Sequence, residues 1–102
     1  MSDIRQARKE VVARILEGDG MASPAQRRAA FNNTGLGEPL STLVDKVARR
    51  AHRVTDEDIA GAKASGLSED EIFEIVVCAE IGVATRQYDT ALAALEAATR
   101  KE

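Results

Sequence analysis

Few side chains in this chain could do chemistry, and Cys78 is the first to weigh. It stands in the apolar run EIVVCAEIGVA (74–84). A reactive thiolate needs exposure and positive neighbours, whereas burial raises the thiol pKa, so Cys78 is expected to be a small core residue. As the sole cysteine it can form neither an intrachain disulfide nor a multi-thiolate zinc site. His52, the sole histidine, could act as a general base. Its place beside Arg49 and Arg53 more often marks a helix-C-terminal cation or a boundary residue. Glu74 and Glu80 are acids inside an apolar run, where a charge costs free energy unless it is paired or solvated. One of them could be a general base with a raised pKa, or could hold Arg86 or Arg49. The cluster Arg86-Gln87-Tyr88-Asp89 either lines a polar cleft or marks a helix leaving its core. An acid–base enzyme of lyase or isomerase type would draw its catalytic residues from His52, Glu74, Glu80, Arg86 and Tyr88.

Other chemistries lack their parts. GLGEP (35–39) has neither the GxGxxG nor the GxxxxGK[ST] spacing of phosphate-binding loops. One histidine cannot make a His-based metal set, so no metal and no cofactor is expected. No run of about 18 apolar residues exists that could cross a membrane. MSDIRQARKE has no apolar signal core, and a cytoplasmic address is expected. Charge is uneven: residues 1–53 hold ten Lys/Arg against six Asp/Glu, and residues 54–102 hold four against eleven. A basic half could touch nucleic acid, but a chain of net charge −3 is repelled by phosphate backbones. Attraction between the halves, within one chain or between subunits, is the expected use, and no nucleic-acid partner is expected.

The elements that must position these residues are helices. Ile4, Ala7, Val11, Val12, Ile15 and Leu16 recur at helical spacing over residues 3–17, and Gly18 and Gly20 stop the run. Ser23-Pro24 reads as an N-cap and first-turn proline, starting a short helix towards Asn32. NNTGLGEP (32–39) is the main loop. Leu40, Leu43, Val44, Val47, Ala48 and Ala51 stripe a third helix that ends near Arg53. VTDEDI (54–59) and LSEDEI (67–72) each combine a capping hydroxyl, an acid three residues on and a hydrophobic staple. Gly66 closes the helix between them. The last helix starts after Ser68. From Ile72 to Ala84 its composition predicts burial all round. From Tyr88 the stripe narrows to Tyr88, Ala91, Leu92, Leu95 and Ala98. The expected fold is one all-α domain, 1–102, with about five to six helices and no strand.

The segment VDKVARRAHRVTDEDIAGAKASGLSEDEIFEIVVCAEIGVATRQYDTALAAL (44–95) resembles the carboxymuconolactone decarboxylase / alkylhydroperoxidase AhpD-like family, and in particular its short members. The resemblance spans about residues 10–95 and implies an AhpD-like helical bundle that assembles through packed helices. Peroxidase-type members of that family use a CxxC and a following histidine, with an upstream glutamate, as a thiol relay. Aligning Glu71 with that glutamate puts Val83 and Arg86 at the cysteine positions and Thr90 at the histidine position. In another register the CxxC half is absent. The resemblance therefore implies a non-redox protein, neither peroxidase nor disulfide reductase. Glu71 alone could carry over, and its place in a capping box accounts for it structurally. No residue matches decarboxylase chemistry.

A helix over residues 69–98 would be about 45 Å long, more than the roughly 33 Å diameter of a compact domain of this size. It must break, most readily between Gly82 and Arg86, or leave Tyr88, Leu92 and Leu95 uncovered beyond the domain. The second outcome predicts a homo-oligomer. The sequence thus points to a helical module that works by oligomerising and by binding a small molecule or partner protein, with the acid–base enzyme as the alternative.

Overall fold

Three of the helices begin where a capping side chain satisfies free N–H groups. The computed structural model describes residues 2–100, with side chains from residue 4 onward. Among the described residues there are five α-helices: α1 (Ser2–Glu17), α2 (Pro24–Asn32), α3 (Leu40–Arg50), α4 (Asp56–Ala64) and α5 (Glu69–Arg100). A 3-10 turn, Ala51–Arg53, tightens the end of α3. The all-α expectation therefore holds, with no strand among the described residues.

The three expected starts are all capping boxes. The Ser23 hydroxyl accepts from Gln26 N–H at 3.1 Å, while Ser23 N–H donates to the Gln26 side chain. Thr55 does the same with Asp58. Ser68 does it with Glu71, whose carboxylate accepts the Ser68 N–H at 3.0 Å. Glu71 is thereby committed to the helix start. Asn33, left-handed at φ 52°, ends α2, and the following N–H of Thr34 returns to Ala29 O.

α5 is the spine on which the other four helices pack. Its Ile72, Ile75, Cys78 and Ala79 meet Leu40, Leu43, Val44 and Val47 of α3, Ala30 of α2, Ala62 of α4 and Leu16 of α1 in one cluster. Ile75, Val44 and Leu43 are fully buried, and truncating one to alanine would cost about 2–5 kcal/mol.

Of the two outcomes open to α5 the break is excluded, and one expectation about the helix needs correction. It does not break between Gly82 and Arg86: it runs 32 residues without interruption. Gly82 is there because the backbone of Phe31 passes over it, where an added Cβ would stand 2.0 Å from Phe31 O. Nor is the stretch Ile72–Ala84 buried all round. Phe73 is 69% exposed, and Val77 and Ile81 are half-buried, so only one face enters the core. The second half of α5 projects beyond the bundle. The molecule spans 55 × 29 × 19 Å, and its radius of gyration, 15.6 Å, exceeds the ~13 Å of a compact domain of this length.

Candidate functional site

α1 and the projecting half of α5 enclose a groove of about 490 Å³. Its floor is apolar, made by Val12 and Leu16 of α1 and Leu92 of α5. These residues come together because α1 repeats apolar groups every three to four positions and so must lay that face on α5. Arg5, Arg8 and Lys9 line the α1 side, and Tyr88, Asp89 and Glu96 the α5 side. The Arg8 guanidinium sits 4.0 Å from the centre of the Tyr88 ring, a cation–π contact. Arg5 pairs with Glu96 at 2.6 Å, and Arg28 with Glu17 at 3.3 Å. Thr85 also lines the groove, and its hydroxyl is buried without a hydrogen-bond partner.

The five candidate acid–base residues do not converge. His52 is exposed in the 3-10 turn. Glu74 holds the loop after α1: its carboxylate accepts Met21 N–H at 2.8 and 3.0 Å and Ala22 N–H at 3.1 Å. Glu80 is exposed. Arg86 donates to Phe31 O at 2.7 Å, satisfying a carbonyl in the last turn of α2. Tyr88 lies under Arg8 in the groove. No hydrogen bond or ion pair joins any two of the five, and of them only Tyr88 lines the groove. The expected pairing of Glu74 or Glu80 with Arg86 or Arg49 is therefore corrected. Glu74 and Arg86 bind backbone groups, and Arg49 pairs with Asp45 one turn earlier at 2.9 Å.

Cys78 is buried in the core, 1% exposed, and that burial pushes its thiol above the ordinary value. Arg27 nearby offsets this in part, and Glu74 adds to it. The halves of opposite charge meet within the chain at two places, Arg5–Glu96 and Lys46–Asp58. Lys46 reaches both oxygens of Asp58 at 2.9 Å and, with the Thr55 N–H, holds that carboxyl below its ordinary value. Lys63 does the same for Glu69. Among the described residues no group of three His, Cys, Asp or Glu side chains could hold a metal, and no helix is long and apolar enough to cross a membrane.

Arg27 was not singled out by its sequence context. It is 4% exposed and donates to Ala22 O at 3.1 Å and to Ile15 O at 3.0 Å, closing the C-terminal end of α1. Arg8 was missed too. It follows the α1 stripe by one position, and only the approach of Tyr88 gives it a partner.

Comparison with protein-family models, with curated proteins and with solved structures finds no match.

Proposed function

We propose that this chain is a non-redox, AhpD-like helical module that works by binding rather than catalysis, through the two-helix arm of α1 and α5. The observation that carries the reading is the contrast between the groove and the acid–base residues. Catalysis by proton transfer needs a donor and an acceptor within about 3 Å of the same substrate. Here the candidates are spread from the 3-10 turn to the second half of α5, and two of them serve backbone groups. The groove, by contrast, has the size of a ligand site, 490 Å³, and combines apolar residues with charged ones of both signs.

Its chemistry favours an amphiphile with an anionic head. The tail would cover Val12, Leu16 and Leu92, and the head would meet Arg8 and Lys9, the two lining cations with no ion pair among the described residues. The AhpD-like phrases of residues 44–95 support a scaffold of packed helices, and the missing CxxC-His relay supports a role outside redox chemistry.

Decanoate, a carboxylate with a ten-carbon chain, is a suitable probe. Isothermal titration of the full chain should give saturable binding that Arg8→Ala and Leu92→Gln weaken at least tenfold. His52→Ala should bind as the wild type does. A wild-type protein with no saturable response at millimolar decanoate would overturn the ligand assignment.

A further inference from the structure

We propose that a second copy of this chain docks on the outer face of the arm, with the two α5 helices antiparallel about a twofold axis. The inference takes from the reading above only that the arm is the working surface.

Beyond the core, α5 repeats apolar residues at alternating spacings of three and four. The large ones are Ile81, Tyr88 and Leu95; the small ones are Ala84, Ala91 and Ala98. This is the a/d pattern of a helix seam, extended towards the bundle by Val77. α1 covers it at Tyr88, through Arg8, and leaves Leu95 and the three alanines open. α1 lies along the Thr85–Leu92–Glu96 side, Leu95 is 59% exposed, and the three alanines are exposed. One row of α1, Ile4, Arg8, Val11 and Ile15, runs beside the seam. Arg8 covers Tyr88, and Ile15 shares a cleft with Phe73 and Val77. In the same row Ile4 is 55% and Val11 51% exposed. Both helices thus leave apolar groups uncovered on one side.

Three features make a second copy the occupant. In an antiparallel pair each a position meets a d position of the partner. With Tyr88 opposite Ala91 of the copy, Ile81 meets Ala98 and Leu95 meets Ala84, whereas parallel pairing stacks alanine on alanine and tyrosine on tyrosine. Between Ala84 and Thr99 the positions flanking the seam are Thr85, Gln87, Leu92, Ala94 and Thr99, none charged. An inverted copy therefore brings no like charges together along this stretch of the α5 seam, and Glu80 and Arg8 are the charges at its border. The size also suits. A face of about 22 residues is roughly 33 Å long and two helices, roughly 20 Å, wide. That is about 650 Å², near the ~800 Å² per partner of stable complexes.

Light scattering on a sizing column at 50 µM should give twice the 10.9 kDa chain mass, in 0.1 M and in 0.5 M salt alike. Leu95→Asp and Ala91→Glu should each halve the mass while the far-UV helical signal stays unchanged, since both sites are exposed. In a Cys78→Ser background, Arg100→Cys should not cross-link under mild oxidation, because antiparallel pairing separates the two Arg100 positions by about 30 Å or more. A wild-type mass near one chain, dissociation by 0.5 M salt, dimers that survive both seam variants, or efficient Arg100→Cys cross-linking would each overturn the proposal. Decanoate titration of the Leu95→Asp monomer keeps the two ideas separate, because the groove lies on the α1 side of α5 and should still bind.

Discussion

Arg86 donates to the carbonyl oxygen of Phe31 at 2.7 Å, and the same oxygen would stand 2.0 Å from a Cβ at position 82. One backbone atom at the end of α2 therefore dictates two residues one turn apart on α5. Alanine at position 82 would improve helix propensity by about 1 kcal/mol, but it drives a methyl into a backbone that cannot move aside. Gly82→Ala is expected to lower stability by about 1–3 kcal/mol, the usual cost of overpacking, despite that gain. Arg86→Ala, at an exposed site where water can replace the donor, should cost about 1 kcal/mol. Urea midpoints of the two variants test the order. A more stable Gly82→Ala would contradict the close approach of α2 and α5.

The loop between α1 and α2 hangs on two charged side chains that face opposite backbone groups. Glu74 accepts from Met21 and Ala22 N–H, and Arg27 donates to Ile15 and Ala22 O. Glu74→Gln keeps one acceptor oxygen and should cost about 1–2 kcal/mol. Arg27→Leu leaves carbonyls without donors in a buried site, and about 1–3 kcal/mol per carbonyl is expected. Hydrogen exchange should locate the damage: faster exchange at Met21 and Ala22 in Glu74→Gln, with α3 and α4 protected as before. Uniform loss of protection would mean that the loop is not the part these residues hold.

Helix starts were legible because their chemistry is local. Ser23-Pro24, Thr55 with Asp58, and Ser68 with Glu71 each act within three residues; the last two form the expected boxes, and Ser23, expected as a plain N-cap, adds a box with Gln26. Helix partners were less legible. Glu74 stood out as an acid in an apolar run, yet its partners are backbone N–H groups, which leave no mark in a sequence. Arg27 and Arg28 are neighbours of the same type. Only the approach of α1 makes the first a buried donor and leaves the second exposed beside Glu17. The groove escaped for a similar reason. Its floor residues read as ordinary stripe positions, and only the packing of α1 along α5 brings them together. Phe73 shows the limit of composition: it stands in an apolar run, yet its side chain is 69% exposed at the rim of clefts rather than in the core.

Acid should loosen the α3–α4 junction. Lys46 and the Thr55 N–H hold the Asp58 carboxyl below its ordinary value of 3.8 in the folded chain. A depressed folded pKa means that the stabilisation is fully present above the unfolded value. It is lost as pH falls from about 4 through the lowered folded value. Glu69, held down by Lys63, adds to the same trend. Lys46→Met removes the main cause at Asp58, so its thermal midpoint should fall less between pH 5 and 2 than that of the wild type. Parallel curves for the two proteins would show that the Lys46–Asp58 pair contributes nothing to acid sensitivity.

Cys78 should be inert in the native state. Its side chain is 1% exposed between α5 and the core, and burial lifts its thiol above the ordinary value of 9.0, so little thiolate exists at neutral pH. Only the thiolate attacks disulfide reagents, and it must also be reached. Labelling by a disulfide reagent at pH 7 should therefore be slow, limited by opening of the α5 core, and should accelerate by at least a hundredfold in 6 M guanidinium. A sulfenic acid formed by peroxide at this site would have no second thiol in the chain to resolve it. Peroxide turnover should then be no greater than that of Cys78→Ser. Native labelling as fast as in denaturant would show that the thiol is open, and turnover lost in Cys78→Ser would show that it reacts. Because α5 is also the spine of the fold, the variant should be checked for an unchanged thermal midpoint. Serine leaves a hydroxyl in an apolar site, and Cys78→Ala, which carries no polar atom, separates lost reactivity from lost packing.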